Sequence, residues 1–318
     1  MTRKRKVLLF FLVVLVALGL WLGYRYHALG LEVHVDTANL PADPPAPVAT
    51  EFSVVSYNVQ ARPLMDDSVY KFARMPKLLN AYDVVAVQEM WHDQARMFAG
   101  WTFPVKLYLG TLNTPFKVTG AGLGIGARFR LEQTEGWSFS TAGELQNVPA
   151  SKGVLFARFL VGGLPLDVFT THMEAGHKTE YSDWARRKQG EELVAFVKAH
   201  TAPEHALILL GDFNMRHSKA GQEDARLAAG QVVEHFDGLT RSQVLDAMTT
   251  ALGVKDLDLQ ITGKLEDSPD HIFYRSGTKA ALTPLSFGHD DPAFYDENKQ
   301  PLSDHTPMFG RFRIAPAG

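Results

Sequence analysis

Several short polar clusters in this 318-residue chain combine residue types that handle protons, cations or negative charge. Ser56-Tyr57-Asn58-Val59 places an amide after an apolar run, and Val87-Gln88-Glu89-Met90 delivers a carboxylate after Asp-Val-Val-Ala-Val. Thr170-Thr171-His172-Met173-Glu174 and Leu209-Leu210-Gly211-Asp212-Phe213-Asn214 repeat the pattern, a buried run ending in polar side chains. Ser268-Pro269-Asp270-His271 and Ser303-Asp304-His305-Thr306-Pro307 each lead into a further apolar run. Taken singly, each has a plain reading. Glu89 alone reads more readily as a surface residue opening a loop than as an inward ligand. A lone His172 at a strand end is usually structural, and Gly-Asp-x-Asn is a common turn. Alternation would still put Asp212 and Asn214 on one side of a continuing strand. An imidazole such as His305 can take a proton near neutral pH. The chain has no cysteine, so a metal must rest on oxygen or imidazole. Hard oxygen ligands suit Mg²⁺, with Mn²⁺ open by the same chemistry.

The elements that must hold these side chains are short β-branched runs alternating with helical stretches. Strands are expected over 52–57, 83–88, 122–128, 153–161, 166–171, 206–210, 271–275 and 307–314. Helices fit 69–81, 181–200 and 225–233, with a short one from about Ser242. Mixed order with strand pairs implies an α/β or α+β layered sandwich and not a parallel barrel. The polar clusters fall at strand ends, where loops carry chemistry on a rigid scaffold. The apolar-rich segments 101–118 and 281–294 read as partly buried connections, with membrane-touching loops as the alternative.

Ahead of this lies an uncharged stretch, Val7 to Tyr24, preceded by Arg3-Lys4-Arg5-Lys6. As a helix it would be roughly 27 Å long, close to the ~30 Å hydrocarbon core of a bilayer. A transmembrane anchor is expected over 7–26, with residues 1–6 cytoplasmic and the rest of the chain extracytoplasmic. A cleaved signal peptide is the alternative. Residues 27–50, with Pro41, Pro44, Pro45 and Pro47, read as a semi-extended spacer, and the catalytic domain is expected over 51–318. The overall charge is −3. Five of the 32 basic residues lie within the first 30, which hold no acid, leaving 27 against 35 and about −8 for the remainder. That acidity weighs against a protein that grips nucleic acid through its phosphates.

The joint order is more specific than any single cluster. Asn58, Glu89, His172, Asp212-x-Asn214, Asp270 and Asp304-His305, spread from Glu51 to Ile314, resemble the motif order of the endonuclease/exonuclease/phosphatase superfamily, the DNase-I-like fold. Gly120-Ala121-Gly122-Leu123 is similar to that family's Gly-x-Gly-Leu strand, and Arg186-x-x-Gln189 also matches. No Lys-Ser/Thr follows the glycines, so they are no nucleotide loop. The resemblance implies a four-layer sandwich of two packed mixed sheets flanked by helices. It also implies a Mg²⁺-dependent phosphoesterase with Glu89 as principal metal ligand and Asn58 touching metal or phosphate. His305 would activate water with Asp270 holding its imidazole, and Asp212 would orient the nucleophile or share the base role. Asn214 and His172 would stabilise the growing oxyanion. Asp304 would reach the metal region or brace His305.

Within the superfamily, Ser151-Lys152-Gly153 and Thr171-His172-Met173-Glu174-Ala175 are similar to segments of neutral sphingomyelinases, with Glu174 replacing an amide. That likeness, the apolar N-terminus and the acidic domain point to a phospholipid phosphodiester at a membrane. Lys152 is a phosphate contact or a solvated lysine. An exported nuclease and a non-catalytic tethered binding module are the alternatives.

Overall fold

The computed structural model describes the chain apart from residues 1–2, 29–30, 41, 43, 45, 112–119, 144–149, 177–178 and 218–228. Two mixed β-sheets pack face to face. The first has seven strands: β1 (Leu31–Thr37), β2 (Thr50–Ala61), β3 (Val84–Met90), β4 (Val105–Thr111), β5 (Leu123–Ala127), β12 (Ala280–His289) and β13 (Met308–Pro316), ordered β1-β4-β5-β3-β2-β13-β12. The second has six: β6 (Arg130–Ser138), β7 (Gly153–Val161), β8 (Leu164–His172), β9 (Ala206–Asp212), β10 (Lys255–Asp256) and β11 (Asp270–Arg275), ordered β10-β11-β9-β8-β7-β6. Helices α2 (Ser68–Leu79) and α3 (Gln94–Gly100) cover the first sheet, and α4 (Glu180–His200) and α5 (Arg241–Leu252) cover the second. A short α6 (Leu257–Thr262) precedes β11. The expected four-layer sandwich is present.

Period-two alternation builds the layers. On β2, Phe52 and Val54 face the second sheet, while Val55 and Tyr57 face α2. On β8 and β9, Leu166, Val168, Ile208 and Leu210 fill the space between the sheets, and Phe169, Leu207 and Leu209 meet α4 and α5. Strands buried on both faces read as unbroken apolar runs, which is why Ala206–Leu210 gives no alternation in sequence.

The alternation also sets where polar side chains end up. Continuing the inter-sheet face of each strand to its end gives Ser56 and Asn58, Gln88, Thr170 and His172, Asp212, and Asp270 at the start of β11. β2 and β3 run parallel with Asn58 opposite Gln88; β8 and β9 run parallel with His172 opposite Asp212; β11 sets Asp270 opposite Asp212. One edge of the inter-sheet layer is therefore polar, and below it lies the apolar cluster that includes Val54, Ala86, Val168 and Ile208.

Several sequence expectations change. Leu31–Thr37, assigned to the spacer, is an edge strand paired with β4 from Leu31↔Thr111 to Thr37↔Val105. Its alternating Leu-Glu-Val-His-Val pattern outweighs the prolines that follow. Segments 101–118 and 281–294 hold β4 and β12, and not only connections, with 112–118 outside the described residues. The helix expected at 225–233 does not extend over 229–233, which are turn and coil; 225–228 lie outside the described residues. β6 was missed because five of its nine residues are exposed and its apolar content is low.

Arg3–Ala28 form one helix, α1, with Phe10 65% and Leu15 63% exposed. Among the described residues no helix is long and apolar enough to cross a membrane. The transmembrane helix and single-pass topology expected over 7–26 are thus not borne out; the side chains at 7–8 and 20–26 lie outside the described ones.

Candidate active site

At the polar edge, Asn58 reaches from β2 with its Nδ2 donating to Glu89 Oε1 and to Asp212 Oδ2, each at 3.1 Å. Its own Oδ1 accepts from the Gln60 backbone at 3.1 Å. Plain alternation would send Glu89 to the α2 face. A left-handed backbone at Glu89, with φ of 57°, breaks the alternation and brings its carboxylate to the cleft. Beneath, Gln88 Nε2 donates to Thr170 Oγ1 at 3.0 Å, a polar rung joining the two sheets.

His172 Nε2 lies 3.5 Å from Asp212 Oδ2 and 3.9 Å from Glu89 Oε1. Lys152 Nζ stands 2.9 Å from the same nitrogen and donates to the Met173 carbonyl at 2.6 Å. An ammonium only donates, so His172 Nε2 accepts and the ring is neutral. Burial, with Lys152 and His305 nearby, holds His172 well below its ordinary pKa. Lys152 is 6% exposed, which removes the solvated reading; burial lowers its pKa while Asp212, Glu89 and Glu174 oppose this. Trp91 stacks on His172, ring centroids 5.6 Å apart. Gly122, at φ 67°, makes room for it, since a Cβ there would lie 2.5 Å from the indole. Trp91 was missed in sequence; an aromatic two residues after Glu89 and the glycines at 120–124 were the available signals.

His305 arrives from the loop before β13. Its Nδ1 is 2.6 Å from Asp270 Oδ2, and its Nε2 is 3.7 Å from Asp212 Oδ2. Ser303 ties this loop to β2, donating to the Asn58 carbonyl at 2.6 Å. Burial disfavours the imidazolium, but the Asp270 hydrogen bond and the charges of Asp270, Asp212 and Asp304 outweigh it, raising His305 to about 10. Asp212 is pushed up to about 6, first by burial and then by Asp270, with His305 and Lys152 opposing. Asn214, at φ 52°, donates Nδ2 to the Met173 carbonyl at 3.1 Å, the acceptor Lys152 also uses.

Eight of the singled-out residues thus converge: Asn58, Glu89, Lys152, His172, Asp212, Asn214, Asp270 and His305. Asp304 does not join them at ligand distance. It is exposed, and its backbone donates to Gln60 Oε1 at 3.2 Å. Glu174 is fully buried and accepts from the backbones of Gly143 and Gly176 at 2.9 and 3.1 Å, so it pins loops. Arg186 and Gln189 hold the Glu174 backbone, at 2.8 Å each.

Glu89, His172 and Asp212 present ligand atoms within 4.8 Å of one another, as do Asp212, Asp270 and His305. Asp212 is common to the two groups, with Glu89 on one side and Asp270 on the other, and these carboxylates, with Glu89 raised mainly by burial, form a donor set that fits a hard divalent cation.

The profile of the Endonuclease/Exonuclease/phosphatase family matches residues 55–305. The sphingomyelinases of Mycobacterium tuberculosis and Mycobacterium bovis are each 28% identical over 292 residues, 86% of this chain and 54% of theirs. The chain therefore spans about half the length of these curated relatives. Sphingomyelinase C from Streptomyces griseocarneus is 14% identical with a TM-score of 0.54, covering 85% of this chain and 100% of that one. Humanized D. rerio TDP2 is 22% identical with a TM-score of 0.58, covering 82% and 98%. A Staphylococcus aureus beta toxin mutant with bound magnesium ions is 14% identical with a TM-score of 0.56, covering 82% and 99%. At these identities the solved structures establish the fold. By the family match over 55–305, the chain belongs to the endonuclease/exonuclease/phosphatase family.

Proposed function

We propose that this protein is a divalent-cation-dependent phosphodiesterase acting on a membrane phospholipid, with sphingomyelin the first substrate to try. The observation that carries this reading is the His305–Asp270 pair, 2.6 Å apart, aimed at Asp212 beside the carboxylate of Glu89. A phosphodiester repels nucleophiles through its own negative charge, so a catalyst must neutralise that charge and ready a water. Glu89 would hold the cation, Mg²⁺ or Mn²⁺, braced by Asn58. When bound, that ion would offset charge on the phosphoryl oxygens and the leaving oxygen.

The chain's own groups handle the proton. Asp270 fixes His305 in one tautomer with Nε2 toward Asp212, and the two groups share the proton taken from water. Asp304 adds basicity to His305 through its charge. Lys152 and Asn214, meeting at the Met173 carbonyl, supply donors at the rim of the phosphoryl position, and neutral His172 orients Lys152.

A cavity of about 1290 Å³ opens beside His305, Asp270 and Asn214. Its wall carries Glu180, Asp183, Glu266, Asp267 and Asp290 against Arg187, Arg216 and Arg241, a balance unsuited to a polyanion. It fits a phosphodiester with a neutral or cationic alcohol. The large apolar side chains exposed on α1 support association of the protein with a lipid surface, and the likeness to the mycobacterial sphingomyelinases supports action outside the cytoplasm.

The test gives the full chain in mixed micelles sphingomyelin, phosphatidylcholine, and single- and double-stranded DNA, each with Mg²⁺. Phosphocholine release, reduced by about 10²–10⁴ in His305→Ala with the melting temperature kept, is expected. DNA cleavage with inert lipids would overturn the substrate assignment. Undiminished turnover in His305→Ala would overturn the base.

A further inference from the structure

The alternation that turns Asp270 into the cleft turns the next residue, His271, to the opposite face of the second sheet, among Phe213 and Phe273. There it meets His217, ring centroids 4.9 Å apart and planes at 79°. His217 Nε2 stands 2.8 Å from Asp256 Oδ1. His217, Asp256 and His271 present ligand atoms that all lie within 4.8 Å of one another.

The outer contacts are more telling than the cluster itself. His271 Nε2 lies 2.9 Å from the Met215 carbonyl, which only accepts, so that nitrogen carries the hydrogen and the lone pair sits on Nδ1. His217 Nδ1 faces Asp246 Oδ1 at 3.3 Å. Metal-binding histidines characteristically give their second nitrogen to a backbone carbonyl or a carboxylate, which fixes tautomer and ring orientation. Both histidines here are held that way. His217 also lines the large cavity, which gives an ion a path in.

We propose that His217, Asp256 and His271 form a second metal site that takes a borderline transition-metal ion, Zn²⁺ by preference, with Asp246 and the Met215 carbonyl as outer partners. Two imidazoles and one carboxylate suit Zn²⁺, whereas the oxygen-rich centre at Glu89 suits a harder ion. The site joins the segment after β9 to β10 and β11. Those neighbours carry Asp212, Asn214 and Asp270, so an ion here braces the catalytic strands from behind. Without an ion, His217 is a strut between Asp256 and Asp246, and the two readings differ in what the protein binds.

The experiment strips the full-length protein of metal in detergent and titrates it with Co²⁺, then Zn²⁺ against a competing chelator, in excess Mg²⁺. One equivalent of Co²⁺ with the visible absorption of a tetrahedral or five-coordinate site, displaced by Zn²⁺, is expected. His217→Gln and Asp256→Asn should each weaken binding more than about tenfold, and the outer variant Asp246→Asn by about 10–100-fold. Glu89→Gln, in the other centre, should leave it unchanged. Melting curves report whether each variant folds, and Asp246→Asn keeps the test open if a ligand variant does not. Absence of the Co²⁺ spectrum, or a spectrum indifferent to Asp246→Asn and to every ligand variant that folds, would overturn the proposal. The readout is binding, so it stands or falls independently of the hydrolytic reaction.

Discussion

At the scale of single residues, the cleft works by setting acids against one another. Asp212 is buried beside Asp270, with the cations Lys152 and His305 acting against both effects. The Asp270 hydrogen bond and its charge raise His305, so Asp270→Asn lowers the imidazole's pKa. If His305 must be unprotonated to accept water's proton, the acid limb of the rate profile moves to lower pH in Asp270→Asn while the maximal rate falls. The measurement is kcat against pH for both proteins. A limb that stays in place, or moves to higher pH, would show that His305 is not the group whose deprotonation the rate reports. Lys152 teaches a different point. In sequence it is one lysine at a strand edge; only the packing of β7 on β8 buries it against His172.

At the scale of elements, parallel pairing of β2 with β3 and of β8 with β9 brings four polar strand ends to one edge. Gly211 is where that arrangement is tightest. Its φ is 146°, and a Cβ there would stand 2.2 Å from the Thr171 carbonyl of β8. Gly211→Ala should cost about 2 kcal/mol or more, read as a melting temperature lower by roughly 4–8 °C. An unchanged melting curve would mean that the pairing at Thr171↔Gly211 is looser than described. Much of this level was legible beforehand. Runs such as Asp83–Gln88 and Ala206–Leu210 announce buried strands, and their polar ends locate the cleft. What escaped was set by tertiary context. β1 is followed by prolines, β6 is mostly exposed, and Glu89 enters the cleft through a backbone conformation that residue type does not disclose. His271 and His217 escaped as well, because their meeting depends on which face of β11 each neighbour takes.

At the scale of the molecule, an acidic domain follows a basic, apolar N-terminus. The described side chains of α1 from Leu9 to Leu18 leave large apolar groups uncovered, which favours association with lipid. Extraction of the full chain from cell membranes should need detergent, and release by a salt wash alone would contradict membrane attachment through α1.

In the proposed reaction the carboxylate centre at Glu89, with the His305–Asp270 pair, hydrolyses phosphodiesters with a divalent cation. The most direct measurement follows phosphodiester hydrolysis by the full chain before EDTA, after EDTA, and after Mg²⁺ is restored, beside Glu89→Ala. Loss with EDTA, recovery with Mg²⁺, and a folded Glu89→Ala protein that stays inactive throughout are expected. Hydrolysis that survives the chelator, or that Glu89→Ala retains in full, would contradict the proposed reaction.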